Sequence, residues 1–442
     1  MMVLLTMALP LSAQDTITTP KRYSLTEAVE YALQNNAGIR NSKLDMEIAG
    51  KRVWETTATG LPQVSATANY MNNLKLRTTL IPAEFFGGAP GTYQAVQFGT
   101  QHNADATISA NQLLFNGPYI VGLQAAQTYR KLSEQNSVKT ENDVKQTLKE
   151  AYFLVLLVDE SLRTMEANLT NLRKTREETR AMLNAGFLDE TDLDQLSVAV
   201  MSLENAITSM ERQGALAMNL LKFQMGISFD APVELSDSLQ SIFTEMDLTE
   251  ILLKDFTLEE HIDYKLLSTQ EQLAYLDMKR TKYEYLPSLN MYYSLTESAQ
   301  RREFNLFDPD ENWYESSMLG FTLNVPIFSS GSRMARVSQK KLELEKVKNS
   351  KKQASEGLQL EYQQAKFDFS NALEKYELEL KNVELARKII ERTTVKYTEG
   401  LAGSLDLTNA NNQYLAAYSN LINSQIELMN AKLRLDKSLN NL

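Results

Sequence analysis

LKEAYFLVLLVDESLRTMEANLTNL, residues 148–172, decides how the rest of the chain is read. Leu148, Ala151, Val155, Val158, Leu162, Met165, Leu169 and Leu172 step alternately by three and four positions. That spacing keeps one apolar stripe turned toward a partner helix in a left-handed coiled coil. The seam lies inside a longer run, Leu123 to Ala185, with neither glycine nor proline to stop a helix. A helix from Gly117 nearly to Gly186 would extend about 100 Å at 1.5 Å per residue. Such an element spans something rather than filling a globular core.

Composition narrows the function classes. The chain has 442 residues, 43% hydrophobic and 23% charged, with a net charge of −11. An acidic balance with scattered lysines argues against nucleic-acid binding, which needs a basic stripe. The absence of cysteine excludes disulfides, thiolate chemistry and an acylated N-terminal cysteine. His102 and His261 are the only histidines and are far apart, so neither metal nor cofactor is expected. No Ser/His/Asp set or phosphate-binding glycine loop appears, and we expect no enzyme. Met1–Leu11 (MMVLLTMALPL) followed by Ser12-Ala13-Gln14 reads as a secretory signal over residues 1–13.

Two blocks of the same order follow. In the first, residues 23–226, Ser24 and Glu27 have capping-box spacing and open a helical pattern that runs to about Thr59. Leu61-Pro62 ends it, and strict alternation marks a strand near 63–71. A loop rich in glycine and proline, Ile81 to Gln97, precedes a second strand near 103–113. Leu114-Phe115-Asn116-Gly117 then enters the long helix, which stops at Gly186, and a helix from Asp192 to Met225 closes the block.

A linker over 227–257 leads to the second block, 258–439. It repeats a helix to Tyr285, then Leu286-Pro287, strands near 288–297 and 317–327, and Ile327-Phe328-Ser-Ser-Gly331. Another long helix reaches Gly400, with Gly357 expected to soften it, and a last helix follows. Gly186 follows Phe115 by 71 positions and Gly400 follows Phe328 by 72. Leu193, Leu196, Val200, Leu203 and Ile207 recur 214 positions later as Leu407, Ala410, Tyr414, Ala417 and Leu421. The chain is a tandem duplication.

Four strands of nine or ten residues match a tilted bilayer span, yet four cannot close a barrel. Their open edges are satisfied if several copies share one barrel. In this order and at these separations, the chain resembles the TolC-type outer-membrane efflux proteins of Gram-negative bacteria, from about Tyr23 to Leu439. The resemblance implies an all-α coiled-coil helical barrel plus a transmembrane β-barrel, with four strands and two very long helices per chain. It implies closure as a homotrimer with a twelve-stranded barrel in outer-membrane lipid and a twelve-helix periplasmic tunnel. It also implies a passive exit duct for efflux or secretion, working with a periplasmic adaptor and an inner-membrane RND or ABC-type transporter that chooses the substrate. The alternative is a secreted or cytosolic coiled-coil scaffold, which would leave the duplicated strands without a purpose.

In the family the helix-to-helix turns close the tunnel like an iris. The matching turns begin at Gly186 and Gly400. The family's tip often reads Tyr-x-x-Gly, a basic residue, then Asp-x-x-Asp. Tyr397, Gly400 and Asp406 match, whereas Ala402 stands at the basic position and Asn409 at the second carboxylate. An arginine lock is therefore not expected from this turn. The other turn carries Asp189, Glu190, Asp192 and Asp194. Constriction candidates are Asp192, Asp406, Asn409, Asp194 and Tyr397; helix capping explains Asp189 and Glu190 more simply.

Overall fold

The computed structural model describes residues 20–245 and 250–441. The signal segment expected at 1–13 lies outside the described residues. The elements run β1 (Lys21–Tyr23), α1 (Leu25–Asn35), α2 (Ala37–Ala58), β2 (Gln63–Asn72), β3 (Thr78–Pro82), β4 (Tyr93–Gln97), β5 (His102–Asn116), α3 (Gly117–Asn184) and α4 (Glu190–Met225). They continue as β6 (Val233–Leu235), α5 (Leu239–Glu245), α6 (Ile262–Tyr283), β7 (Ser288–Arg301), β8 (Tyr314–Asn324), α7 (Ser332–Thr398) and α8 (Ser404–Ser438). Among the described residues no helix is long and apolar enough to cross a membrane.

Two compact units take pieces of both sequence blocks. Among the described residues, one gathers those up to Leu44, those between Gln135 and Leu266 and those from Lys352 onward; the other holds Asp45–Glu134 and Leu267–Lys351. In the first, the coiled-coil stripe becomes core. Leu148, Ala151, Val155 and Val158 are buried, as are Leu169 and Leu172, while Leu162 and Met165 are half-buried. Leu196, Val200, Leu203 and Ile207 of α4 pack with Leu169 and Leu172. Ala365, Phe369 and Ala372 of α7 pack with Leu428, Ala431 and Leu435 of α8. Between 151 and 158 the stripe widens until Tyr152, Phe153, Leu156 and Leu157 are buried as well. Here α1, α4 and α8 close around α3, and β1 pairs in parallel with β6. Tyr152 ties this belt together, donating its hydroxyl to the Tyr23 carbonyl at 3.0 Å and to Asp237 Oδ2 at 2.9 Å.

The capping box forms as its spacing predicts, with Ser24 Oγ accepting from Glu27 N–H and Glu27 Oε2 from Ser24 N–H. The helix it opens does not run unbroken to Thr59. Asn36 leaves helical geometry at φ −61°, ψ 129°. Its Oδ1 accepts from the N–H groups of Gly38 and Ile39, starting α2, and its Nδ2 donates to the Gln224 carbonyl at 2.7 Å. A side chain that offers the backbone another partner breaks the helix. The helix expected from Leu258 begins at Ile262 after a short 3₁₀ turn. Gly357 does not interrupt α7, which is continuous from Ser332 to Thr398.

The second unit holds one four-stranded antiparallel sheet, ordered β2-β5-β7-β8, so β2 and β8 are its edges. Register sorts the side chains by face. Val64, Ala110, Tyr293 and Leu319 stand in one row, and Ala66, Ile108 and Leu295 in the next. The opposite face carries Ser65, Ser109 and Ser294, then Thr67, Thr107, Thr296 and Ser316. Hydroxyls bond across it, Ser65 to Ser109 at 2.9 Å and Thr107 to Thr296 at 2.9 Å. The apolar face is uncovered in the single chain: Val64 is 69% exposed and Phe321 63%.

Three strand details differ from the periodicity. The segment read as a loop contains a hairpin, β3 with β4, because its glycines and prolines crowd into the tip between Pro82 and Gly91. A bulge between Leu113 and Phe115 extends β5 to Asn116. β8 lies at Tyr314–Asn324 rather than near 317–327, since pairing starts opposite Ser298 and Pro326 has no N–H to offer.

Candidate functional site

The turns that join α3 to α4 and α7 to α8 lie in the first unit and are built alike. Gly186 has φ +80° and Gly400 φ +71°, a left-handed conformation that costs an L side chain energy. Phe187 N–H reaches back to the Met182 carbonyl at 3.0 Å and Gly186 N–H to Leu183 at 2.9 Å. Leu401 and Gly400 do the same to Lys396 and Tyr397, at 2.7 and 3.0 Å. Both are Schellman closures, which satisfy the last carbonyls of a long helix and reverse the chain within a few residues.

Hydroxyl bonds connect the two blocks near these turns. Thr179 on α3 and Tyr397 on α7 share a hydrogen bond of 2.6 Å and are 0% and 5% exposed. Thr179 also donates to the Thr175 carbonyl at 2.9 Å. Burial pushes the Tyr397 phenol above its ordinary value; the Thr179 bond opposes this and the charge of Asp192 adds to it. Further along, Thr164 meets Tyr418 at 2.8 Å and Asn168 Nδ2 donates to Asn411 Oδ1 at 3.0 Å. Tyr397 is thus a buried pin of the tip in the single chain rather than a surface group.

The acids divide by environment. Asp192 is half-buried and accepts the hydroxyl of Ser404, which is itself buried and also meets Gln195 Oε1 at 2.8 Å. Asp406 is exposed, and its Oδ2 accepts the Gly403 N–H at 3.1 Å, capping α8. Asp194, two residues past Asp192, and Asn409, three past Asp406, are exposed. Asp189 occupies the N-cap of α4 without a side-chain cap bond, and Glu190 opens the helix. Equivalent aspartates therefore do different things, because the 214-residue offset places Ser404 opposite Glu190. A carboxylate at 190 has no proton to give the other block, whereas the Ser404 hydroxyl has. Ser404, Gln195 and Thr179 went unmarked in the periodicity. The departure from repeat symmetry at 190 and 404 is the one sequence signal that points to Ser404.

Comparison with known proteins follows the same lines. Residues 269–441 match the family described as outer membrane efflux protein. The alkaline protease secretion protein AprF of Pseudomonas aeruginosa is 23% identical over 346 residues, covering 75% of this chain and 68% of its own length. Among solved structures, CusC superposes with a TM-score of 0.74 at 16% identity, over 95% of this chain and 92% of its own. VceC of Vibrio cholerae gives 0.70 at 15% identity, over 94% and 95%. The open-state MtrE outer membrane channel of Neisseria gonorrhoeae gives 0.69 at 19% identity, over 94% and 88%. The fold is that of these channels.

Proposed function

We propose, from the premise that this chain belongs to the outer membrane efflux protein family, that it is the outer-membrane exit duct of an efflux or secretion system. Three copies supply twelve strands and twelve helices, closing a β-barrel in outer-membrane lipid above a helical tunnel in the periplasm. The observation that carries this reading is the isolated four-stranded sheet, with two unpaired edges, an apolar face and a hydroxyl-lined face. Unpaired edges in a bilayer cost several kcal/mol for each unsatisfied group, so the sheet must close on further copies. Its alternating directions make β8 antiparallel to the β2 of the next copy, as closure requires. The apolar face meets lipid and the hydroxyl face lines the lumen.

The paired turns form the constriction. Threefold repetition sets Asp192 and Asp406, with Asp194 and Asn409 behind them, around one narrow level. Tyr397, held to Thr179, keeps the two helical pairs of each copy together beneath that ring. The duct itself is passive; transport is driven through a periplasmic adaptor by an inner-membrane RND or ABC-type pump, and no residue of the duct acts chemically.

Native mass and heat-modified gel mobility of detergent-extracted protein test the reading. The expected result is a trimer that collapses to monomer on heating and conducts in planar bilayers. A monomer retaining its β signal, or a rod left in the soluble fraction as a coiled-coil scaffold would be, would overturn it.

A further inference from the structure

On the apolar face of the sheet, Glu297 of β7 and Glu315 of β8 stand directly opposite one another. Their row continues as Ala106 and Ala68, so nothing else in it is charged. Like charges directly opposed on adjacent strands are destabilising, and a charge on a lipid-facing surface adds a cost that fades only near the membrane edge. Among the described residues neither carboxylate makes an ion pair or a side-chain hydrogen bond. The nearest basic residue of the same row set, Arg301, is already committed. It is buried, donates to the carbonyls of Gln300 and Asn312 at 3.1 and 2.6 Å, and faces Glu311 at 3.6 Å.

At the same end of the other edge strand, two cations are equally unused. β2 stops at Asn72, and the next residue, Asn73, is held by its N–H to the Gln101 carbonyl at 2.7 Å and by Nδ2 to Thr100 at 2.9 Å. Lys75 and Arg77 follow this anchor, exposed and without an ion pair among the described residues. The β8 edge and its neighbour β7 thus carry two unpaired acids near this end of the sheet, and the segment just past the β2 edge carries two unpaired bases.

We infer that Glu297 and Glu315 bind the partner subunit's Lys75 and Arg77, forming a charge clasp at the outer rim of each seam between copies. The inference rests on the trimeric barrel proposed above. Within one chain Glu315 is level with Ala68, seven positions before Lys75. Strands tilted by about 40° and spaced about 4.8 Å apart shift in register by about five residues over four strands. The clasp commits that shift to the direction that draws the partner subunit's Lys75 inward, level with Glu315. Flexible Lys and Arg stems cover the remaining distance. The pairing neutralises four charges at a membrane surface and specifies which edge meets which.

Because the chain lacks cysteine, a double substitution reads the contact against no background. Glu315→Cys with Lys75→Cys, and Glu315→Cys with Arg77→Cys, are oxidised in the assembled protein and run on a non-reducing gel. Covalent dimers and trimers are expected from at least one pair and from none of the single variants. In parallel, Lys75→Glu with Arg77→Glu should lower the temperature at which the trimer dissociates, and adding Glu297→Lys with Glu315→Lys should restore it. A native-mass trimer showing neither cross-link nor rescue overturns the clasp and leaves the barrel standing. Unsubstituted protein with no trimer overturns both.

Discussion

Thr179 and Tyr397, 218 positions apart, share a 2.6 Å hydrogen bond in the buried tip of the helical unit, joining the two long helices just before each ends. Everything beyond them is a short turn, so this pair is the last buried polar link between the two sequence blocks before Ser404 and Asp192.

Tyr397→Phe removes only the phenolic hydroxyl. Thr179 keeps its bond to the Thr175 carbonyl and is not orphaned, so the loss is about 1 kcal/mol and folding persists. If the pair holds the tip closed, single-channel recordings of this variant show more frequent or larger openings. Wild-type conductance in a correctly assembled trimer would make the bond structural only.

Leu169→Asp and Arg173→Glu lie one helical turn apart and should differ sharply. Leu169 is buried against α4, and an unpaired carboxylate there costs roughly 3–5 kcal/mol. Arg173 is more than half exposed and pairs with Glu204 at 2.6 Å. Screening holds the value of such a pair to about 1 kcal/mol or less. Yield of heat-resistant oligomer should collapse for the first and stay near wild type for the second.

His261 should make the helical unit acid-sensitive. It is 5% exposed, with Nδ1 accepting the Asp263 N–H at 3.2 Å. Burial lowers its affinity for a proton; Asp263 and Glu361 oppose that, while Lys139 and Lys437 reinforce it. A folded pKa below the ordinary 6.5 means the unfolded chain binds the proton first. Stability is therefore full above 6.5 and declines as pH falls toward the folded value. Melting at about pH 7.5 and about pH 5 should differ less for His261→Gln than for wild type.

Asp192→Asn with Asp406→Asn tests the constriction. Each amide oxygen still accepts the bond its carboxylate accepted, from Ser404 and from Gly403 N–H, so assembly survives. If the proposed trimer sets these residues around one narrow level, removing up to six charges weakens cation selectivity and block by divalent ions, read in planar bilayers. Unchanged selectivity would reduce both residues to helix caps and move attention to Asp194.

Much of this architecture was legible in the residues themselves, because helix and strand periods are local. The steps from Leu148 to Leu172 require a long helix with one apolar stripe, and that stripe is buried or half-buried along its whole length. Alternation at Val64, Ala66, Ala68 and Tyr70 requires a strand with two unlike faces, and Gly186 and Gly400 require left-handed stops. Positions of contact between distant segments carry no such period. That Asn36 breaks the first helix depends on the Gln224 carbonyl waiting for its amide. That Asp192 and Asp406, equivalent by repeat, take different partners depends on Ser404 being packed beside α4. Likewise, Glu297 and Glu315 look like ordinary surface acids until register sets them face to face. The sequence by itself determined the two long helices, the four alternating strands and the order in which they repeat, since each follows from neighbours within a turn or two. Only the tertiary structure decided which hydroxyl meets which carboxylate and which charges are left without a partner, because a hydrogen bond is specified by three-dimensional placement and leaves no periodic mark on the chain.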